Sequence, residues 1–535
     1  MRIFKNSIIR SACLVPTLAS VMLMGCGSDS SSEGPSVITA KGLISGVASE
    51  GSVASFKGIP YGAAPIGDKR FAPPQPVPAW DDTLHANEFG SDCPQVAGMF
   101  GSASTNEDCL FLNVYTPDVE GEHPVMVWIH GGALIFGSGG ATYNPEKILN
   151  EDVVLVTLNY RLGALGFLAH SDLSTEMGSG SGNFGLMDQQ LALTWVQDNI
   201  ELFGGNPENV TIFGESAGGH SVLSQLASND AAGLFHKAIV QSGAYSAGQM
   251  PLPFAEAMGA SFAQTANCNE VQDTLACLRA LPVDEILKAQ EGVSYIPNTG
   301  TDILPLSISA ALETGEFNQV PVMTGSNLHE GRLFVALDEV TNLATLNDDA
   351  KYRQSVAGFL SPDPTLDTDA IATRYLALED SEASNKYSLA YSAIQTDAAF
   401  ACTALGQMFT LSAFVDTYSY HFTDENAPSL FPPILSIPLG AAHAYEIQYL
   451  LDSEQTMLDN GAGNEQMALA TAMVDYWTTF AKTGNPNPAA SALPIWSTFS
   501  SGTILDLNPT LTSKYYSEFS NTHSCGYWEE QTNNL

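Results

Sequence analysis

Short apolar runs recur along the chain, each bounded by Gly, Pro or Asn: Val125–Ile129, Val153–Leu158, Val210–Phe213, Ala238–Val240 and Val320–Met323. They are nearly continuous in aliphatic and β-branched residues rather than alternating, which is the pattern of strands buried on both faces. Longer segments between some of them carry helical spacing. In Leu186–Leu202 the apolar members are Leu191, Leu193, Trp195, Val196 and Ile200, with Asp188 near the start and Gly204-Gly205 as the stop. Met467–Lys482 reads as a late helix ended by Thr483-Gly484-Asn485-Pro486. Strands alternating with helices predict an α/β domain around a mostly parallel sheet flanked by helices. No internal repeat interrupts the pattern, so the chain from 37 to 535 reads as one large domain with long insertions.

The beginning of the chain follows another pattern. Arg2, Lys5 and Arg10 form a basic start, a mostly apolar run extends from Ala12 to Met24, and Leu23-Met24-Gly25-Cys26 follows. This resembles a bacterial secretory signal ending in a lipoprotein processing site. The resemblance implies removal of residues 1–25 and lipid on Cys26. Residues 26–36, rich in Ser and Gly, read as a flexible tether. The expected location is the bacterial envelope, in the periplasm or at the cell surface, with the lipid as the sole membrane contact.

Charge narrows the partners. Asp and Glu number 58 against 19 Lys and Arg, a formal net charge of −39, which argues against nucleic acid or an anionic bilayer as a binding surface. Like-charge repulsion favours a soluble monomer; the other consequence is steering of cationic ligands. Six cysteines lie beyond Cys13 and Cys26: Cys93, Cys109, Cys268, Cys277, Cys402 and Cys525. An even count in an exported chain suggests disulfides, and close spacing favours Cys93–Cys109 and Cys268–Cys277, leaving Cys402–Cys525. No cysteine or histidine cluster suggests a metal.

Gly214-Glu215-Ser216-Ala217-Gly218 fits G-x-S-x-G, after the strand-like Val210–Phe213 and before the helix-like run from Gly219 to Ala227. Strand, tight turn and helix expose a serine hydroxyl on a strained backbone. A serine needs a base to take its proton. Beyond Ser216, His236 follows too closely, His421 sits in the alternating Tyr418–Phe422, and His523 lies beside Cys525. His443 follows the small-residue approach Pro438-Leu439-Gly440-Ala441-Ala442, so it leads without excluding the others. For the acid, Glu330, just after the apolar run from Val320, competes with Asp338. His130-Gly131-Gly132-Ala133 follows Val125–Ile129 and offers backbone N–H groups for a developing oxyanion, with Gly132, Ala133 and Ala217 as donors. His130, upstream of the serine, reads as a structural hydrogen-bonding group.

With these motifs the chain closely resembles the type-B carboxylesterase family, which includes cholinesterases and neuroligins. The resemblance runs from about residue 37 to 530. It is carried by Phe56-Lys57-Gly58-Ile59-Pro60-Tyr61, Glu107-Asp108-Cys109-Leu110, Asn159-Tyr160-Arg161-Leu162-Gly163, the run Gly182 to Ile200, Phe203-Gly204-Gly205-Asn206-Pro207, Gln241-Ser242-Gly243 and Phe480 to Pro486. It implies an α/β-hydrolase fold and a triad of Ser216, Glu330 and His443. It also implies an oxyanion hole of Gly132, Ala133 and Ala217, the three disulfides above, and structural roles for Glu107 and Arg161. The expected activity is hydrolysis of small-molecule carboxylic esters through an acyl-enzyme, with no cofactor or metal. The rival readings are an adhesion or binding protein of the same fold without catalysis, and a lipase or amidase.

Overall fold

The computed structural model describes residues 34–532, apart from 49–52, 98–100, 247, 343–345, 431–436 and 490. The signal-like segment and Cys26 lie outside the described residues. Pro35–Leu535 forms one compact unit, and its first strand, Ser36–Thr39, begins one residue before the expected boundary.

Strands buried on both faces come together because none of them can face water. Among the described residues they build an eleven-stranded sheet in the order Thr512–Tyr515, Thr503–Leu507, Thr417–Phe422, Val322–Asn327, Lys237–Gln241, Gly205–Glu215, His123–Ile129, Val154–Leu158, Phe111–Thr116, Ala54–Pro60 and Val47–Ala48. Pairing is parallel from Thr503–Leu507 to Val154–Leu158 and antiparallel at both edges. The register aligns Val127 with Ile212 and Ile212 with Ala238. A three-stranded sheet, Ser36–Thr39, Gly42–Ser45 and Leu84–His85, lies apart from it.

Each of the five apolar runs lies in a strand, and three of these strands end later than their runs, at Glu215, Gln241 and Asn327. The strand opening at Val322 continues past Met323 through Thr324-Gly325-Ser326-Asn327, every residue of it buried. Polar side chains can extend a buried strand where partners satisfy them, and Asn327 Nδ2 donates to Ala442 O at 2.8 Å and to Glu446 Oε2 at 2.6 Å.

The first expected helix spans Phe184–Asn199 and tightens to a 3₁₀ turn over Ile200–Phe203. Its Asp188 lies near the helix start, as the sequence places it. It is fully buried and takes Arg161 in a two-pronged pair, Nη2 to Oδ1 at 2.7 Å and Nε to Oδ2 at 2.8 Å. Glu107 pairs in the same way with Arg70, at 2.7 and 2.5 Å. The late helix, Asn464–Thr483, packs on the sheet, and its Trp477 Nε1 donates to Gln241 Oε1 at 3.1 Å. Disulfides join Cys93 to Cys109, Cys268 to Cys277 and Cys402 to Cys525.

Candidate active site

The central strand Gly205–Glu215 runs straight into Ser216, and the helix Ala217–Ala227 begins at the next residue. Ser216 has φ 56° and ψ −120°, a conformation that costs a non-glycine residue about 1–3 kcal/mol. Two hydrogen bonds hold it there: Ser216 N donates to Gln241 O, and His220 N donates to Ser216 O, both at 2.8 Å. The turn is tight enough that a Cβ on Gly218 would lie 1.9 Å from Ile129 O. Only glycine lets the elbow helix come this close to the neighbouring strand. Ser216 is left half-buried at the strand's carboxyl end.

Glu330 lies three residues past the strand Val322–Asn327, at the start of the helix Glu330–Asn342. Its Oε1 accepts from Asn327 N at 2.7 Å and from Ser242 Oγ at 2.6 Å, while Oε2 lies 2.6 Å from His443 Nδ1. The turn carrying His443 is stitched to the turn carrying Glu330: His329 N donates to Ala441 O at 3.0 Å, and Asn327 reaches Ala442 O. Two loops more than a hundred residues apart are thereby fixed against each other. Asp338 lies about two turns farther along the helix that Glu330 opens.

The other histidines go elsewhere. His421 Nε2 is 3.0 Å from His523 Nε2, and His523 Nδ1 is 2.8 Å from Asp397 Oδ1, so these two form a buried chain of their own. His236 Nδ1 accepts from Val210 N at 3.1 Å. His130 is buried and stacks on Tyr160 at 4.4 Å, with Nδ1 2.8 Å from Gly131 O. Burial lowers its pKa to about 4, so at neutral pH the ring carries no charge.

Beyond His130, Gly132, Ala133 and Leu134 all have positive φ, at 106°, 53° and 60°. The turn closes when Ile135 N and Phe136 N donate to Gly132 O at 3.0 and 3.1 Å. A Cβ on Gly132 would lie 2.0 Å from Phe136 O, so this position also requires glycine. Ala217 supplies the first N–H of the elbow helix.

Two buried carboxyl groups were not foreseen from the sequence. Glu215 Oε1 lies 3.1 Å from His443 Nε2, although that nitrogen makes no hydrogen bond. Glu446 accepts from Gln241 Nε2 at 3.1 Å as well as from Asn327. Burial raises the Glu215 carboxyl well above its ordinary range; charged His443 pulls it down, and Glu446 and Glu330 push it further up. Burial alone would lower the His443 pKa, but Glu215 and then Glu330 outweigh burial and lift it to about 9. Glu215 is the variable position of G-x-S-x-G and could have been suspected from that alone. Glu446 carries no signal of its own. Phe334 and Phe400 pack on the His443 ring at 4.8 and 5.0 Å. Among the described residues, no group of three or more His, Cys, Asp or Glu is placed to hold a metal ion.

Comparison with known proteins accords with this geometry. The model of the Carboxylesterase family matches residues 33–528. Para-nitrobenzyl esterase of Bacillus subtilis (strain 168) is 34% identical over 483 residues, covering 86% of this chain and 92% of its own. Acylcarnitine hydrolase of Mus musculus is 33% identical over 83% of this chain and 81% of its own. Among solved structures, a thermophilic PNB esterase superposes with a TM-score of 0.75 at 30% identity, over 91% of this chain and 99% of its own. A match that runs through both the sheet and the elbow shows that the chain belongs to the carboxylesterase family and is a carboxylic ester hydrolase.

Proposed function

We propose that ester hydrolysis proceeds here by acyl transfer to Ser216. Ser216 Oγ attacks the ester carbonyl while His443 Nε2 takes its proton. The carbonyl oxygen becomes an oxyanion held by the backbone N–H groups of Gly132, Ala133 and Ala217. His443 then gives its proton to the departing alkoxide, and the acyl group stays on Ser216. Water, deprotonated by His443, releases the carboxylic acid and returns the proton to Ser216. Glu330 fixes the imidazole and stabilises its charged form. The observation that carries this reading is the 2.6 Å contact between His443 Nδ1 and Glu330 Oε2, which leaves Nε2 as the ring's remaining nitrogen.

Small-molecule carboxylic esters are the substrate class, and the chain acts as a monomer. We also propose export: removal of residues 1–25, lipid on Cys26 and a short tether to the catalytic unit.

Hydrolysis of p-nitrophenyl esters tests the base. His443→Ala and Glu330→Gln are expected to lose activity by orders of magnitude, since triad members act as a unit, whereas His421→Ala keeps most of it. A dead His421→Ala beside a healthy His443→Ala contradicts the assignment. For the anchor, Cys26→Ser is expected to move active enzyme from the membrane fraction to the soluble one. Wild-type protein from a bacterial host already free of lipid contradicts it.

A further inference from the structure

The helix that opens at Glu330 begins with a need common to all helices: its first N–H groups have no acceptor within it. Arg332 N turns back to His329 O at 3.0 Å. Gly331 N instead donates to the side chain of Thr396, at Oγ1, over 3.0 Å. Thr396 lies 65 positions away in the chain and is buried. It therefore acts as a cap supplied by another element, on the peptide that joins Glu330 to Gly331. The triad as described makes no use of it.

The packing around this contact leaves little freedom. Thr396 follows the helix Lys386–Gln395 and opens a π-helical turn, Thr396–Ala401, ahead of the helix Cys402–Ser412. Such turns are rare and gather at functional sites. The Thr396 hydroxyl donates to Ser392 O at 2.8 Å, one turn back. With its proton committed there, the oxygen faces Gly331 with its lone pairs. A threonine is stiff at χ1, so the acceptor stays in place. Gly331 is pressed against the same stretch of helix: a Cβ there would lie 2.1 Å from Ser392 O and 2.8 Å from Gln395 Cβ. The missing side chain is what lets the peptide N–H reach the threonine.

The π turn also reaches the base. Phe400, four residues after Thr396, packs on the His443 ring at 5.0 Å and stacks on Phe334 at 5.7 Å, with planes 13° from parallel. Phe334 lies one turn along the Glu330 helix and meets His443 at 4.8 Å. One turn of chain thus holds the acid by a hydrogen bond and the imidazole by an aromatic face.

We propose that Thr396 is a positioning residue of the hydrolase: through the Gly331 N–H it fixes the backbone of Glu330 and so holds the Glu330 carboxylate on His443 Nδ1. The proposal rests on Glu330 and His443 serving as acid and base. Thr396 touches no reacting atom, and no proton passes through it. Asn327 N and Ser242 Oγ hold Glu330 Oε1, while Thr396 holds the main chain that carries the carboxylate. Without the hydroxyl, Gly331 N is a buried donor left unpaired, and the helix start must shift to find another acceptor.

Thr396→Val replaces the hydroxyl by a methyl of nearly the same shape, and Thr396→Ser keeps the hydroxyl. Ester hydrolysis is measured per active site, counted by fluorophosphonate titration, so that misfolded protein does not enter. Thr396→Val is expected to lower kcat about tenfold, the scale of one hydrogen bond, with KM within about twofold. It is also expected to move the acidic limb of the kcat/KM profile toward lower pH, because a looser Glu330 raises the His443 pKa less. Thr396→Ala removes the same hydroxyl without a methyl against Gly331 N, and must show the same pattern. Thr396→Ser should stay close to wild type in both readouts. An unchanged kcat in Thr396→Val and Thr396→Ala overturns the proposal. So does a loss of kcat with the limb in place, which makes Thr396 a packing residue, and so does an equal loss in Thr396→Ser. Glu330→Gln, run alongside, separates the two ideas: if it keeps wild-type activity, the acid assignment itself has failed.

Discussion

His443 is the residue on which the electrostatics of the site converge. A general base must be neutral to accept the serine proton, so kcat/KM rises as pH passes the imidazole pKa. Burial favours the neutral ring, but Glu215 and Glu330 outweigh it and raise the pKa to about 9, so the acidic limb should lie well to the alkaline side of an ordinary histidine. Glu215→Gln removes the largest of the raising influences. It is expected to shift the limb toward lower pH by about a unit, read from kcat/KM against pH. An unmoved limb would mean that Glu215 is already protonated when His443 titrates. The same shift has a stability sign. A folded-state pKa above the unfolded value contributes stability below about 6.5 that is lost as pH rises through about 9.

How legible these residues are depends on what constrains them. Ser216 is readable because an elbow needs glycines at fixed offsets, and Gly218 has no room for a Cβ. Glu446 is not, because its partners Gln241 and Asn327 lie far off in the chain and no period connects buried polar groups that meet only in space. His443 led on its small-residue approach, and its contact with Glu330 appears only when the two loops are brought together.

At the level of elements, apolar runs located five of the seven strands in the parallel block, and polar strand ends escaped them. The apolar pattern of Val322–Asn327 stops at Met323 because the residues that follow are polar or glycine, although all are buried, and the last of them, Asn327, bonds Glu330 and Glu446. The buried pair of Arg161 and Asp188 ties the helix Phe184–Asn199 to the turn after Val154–Leu158. Asp188→Ala leaves a buried guanidinium without its carboxylate, and is expected to cost about 3–5 kcal/mol in urea unfolding. A loss below about 1 kcal/mol would show that water or another acceptor replaces it. The Cys402–Cys525 disulfide spans 123 positions and pins the C-terminal helix Cys525–Thr532. Replacing both cysteines by Ala should cost about 2–5 kcal/mol and lower the melting temperature; an unchanged transition would mean that packing alone holds this end.

For the molecule as a whole, the net charge of −39 sets a long-range field and says nothing about the fold. It should raise the association rate of any cationic ester. That attraction is screened within about 3 Å at 1 M salt, whereas a contact inside the site survives. A choline ester and its neutral 3,3-dimethylbutyl isostere are therefore expected to converge in kcat/KM at high salt. A tenfold preference for the cation that persists there would reveal a local cation site.

The central claim, that hydrolysis passes through a covalent intermediate on Ser216, is tested most directly by labelling the protein with a fluorophosphonate and mapping the modified peptide. The account predicts one adduct per chain, on Ser216, loss of ester hydrolysis in proportion to labelling, and no adduct on Ser216→Ala. An adduct on another residue, or full hydrolysis by a completely labelled protein, would contradict it.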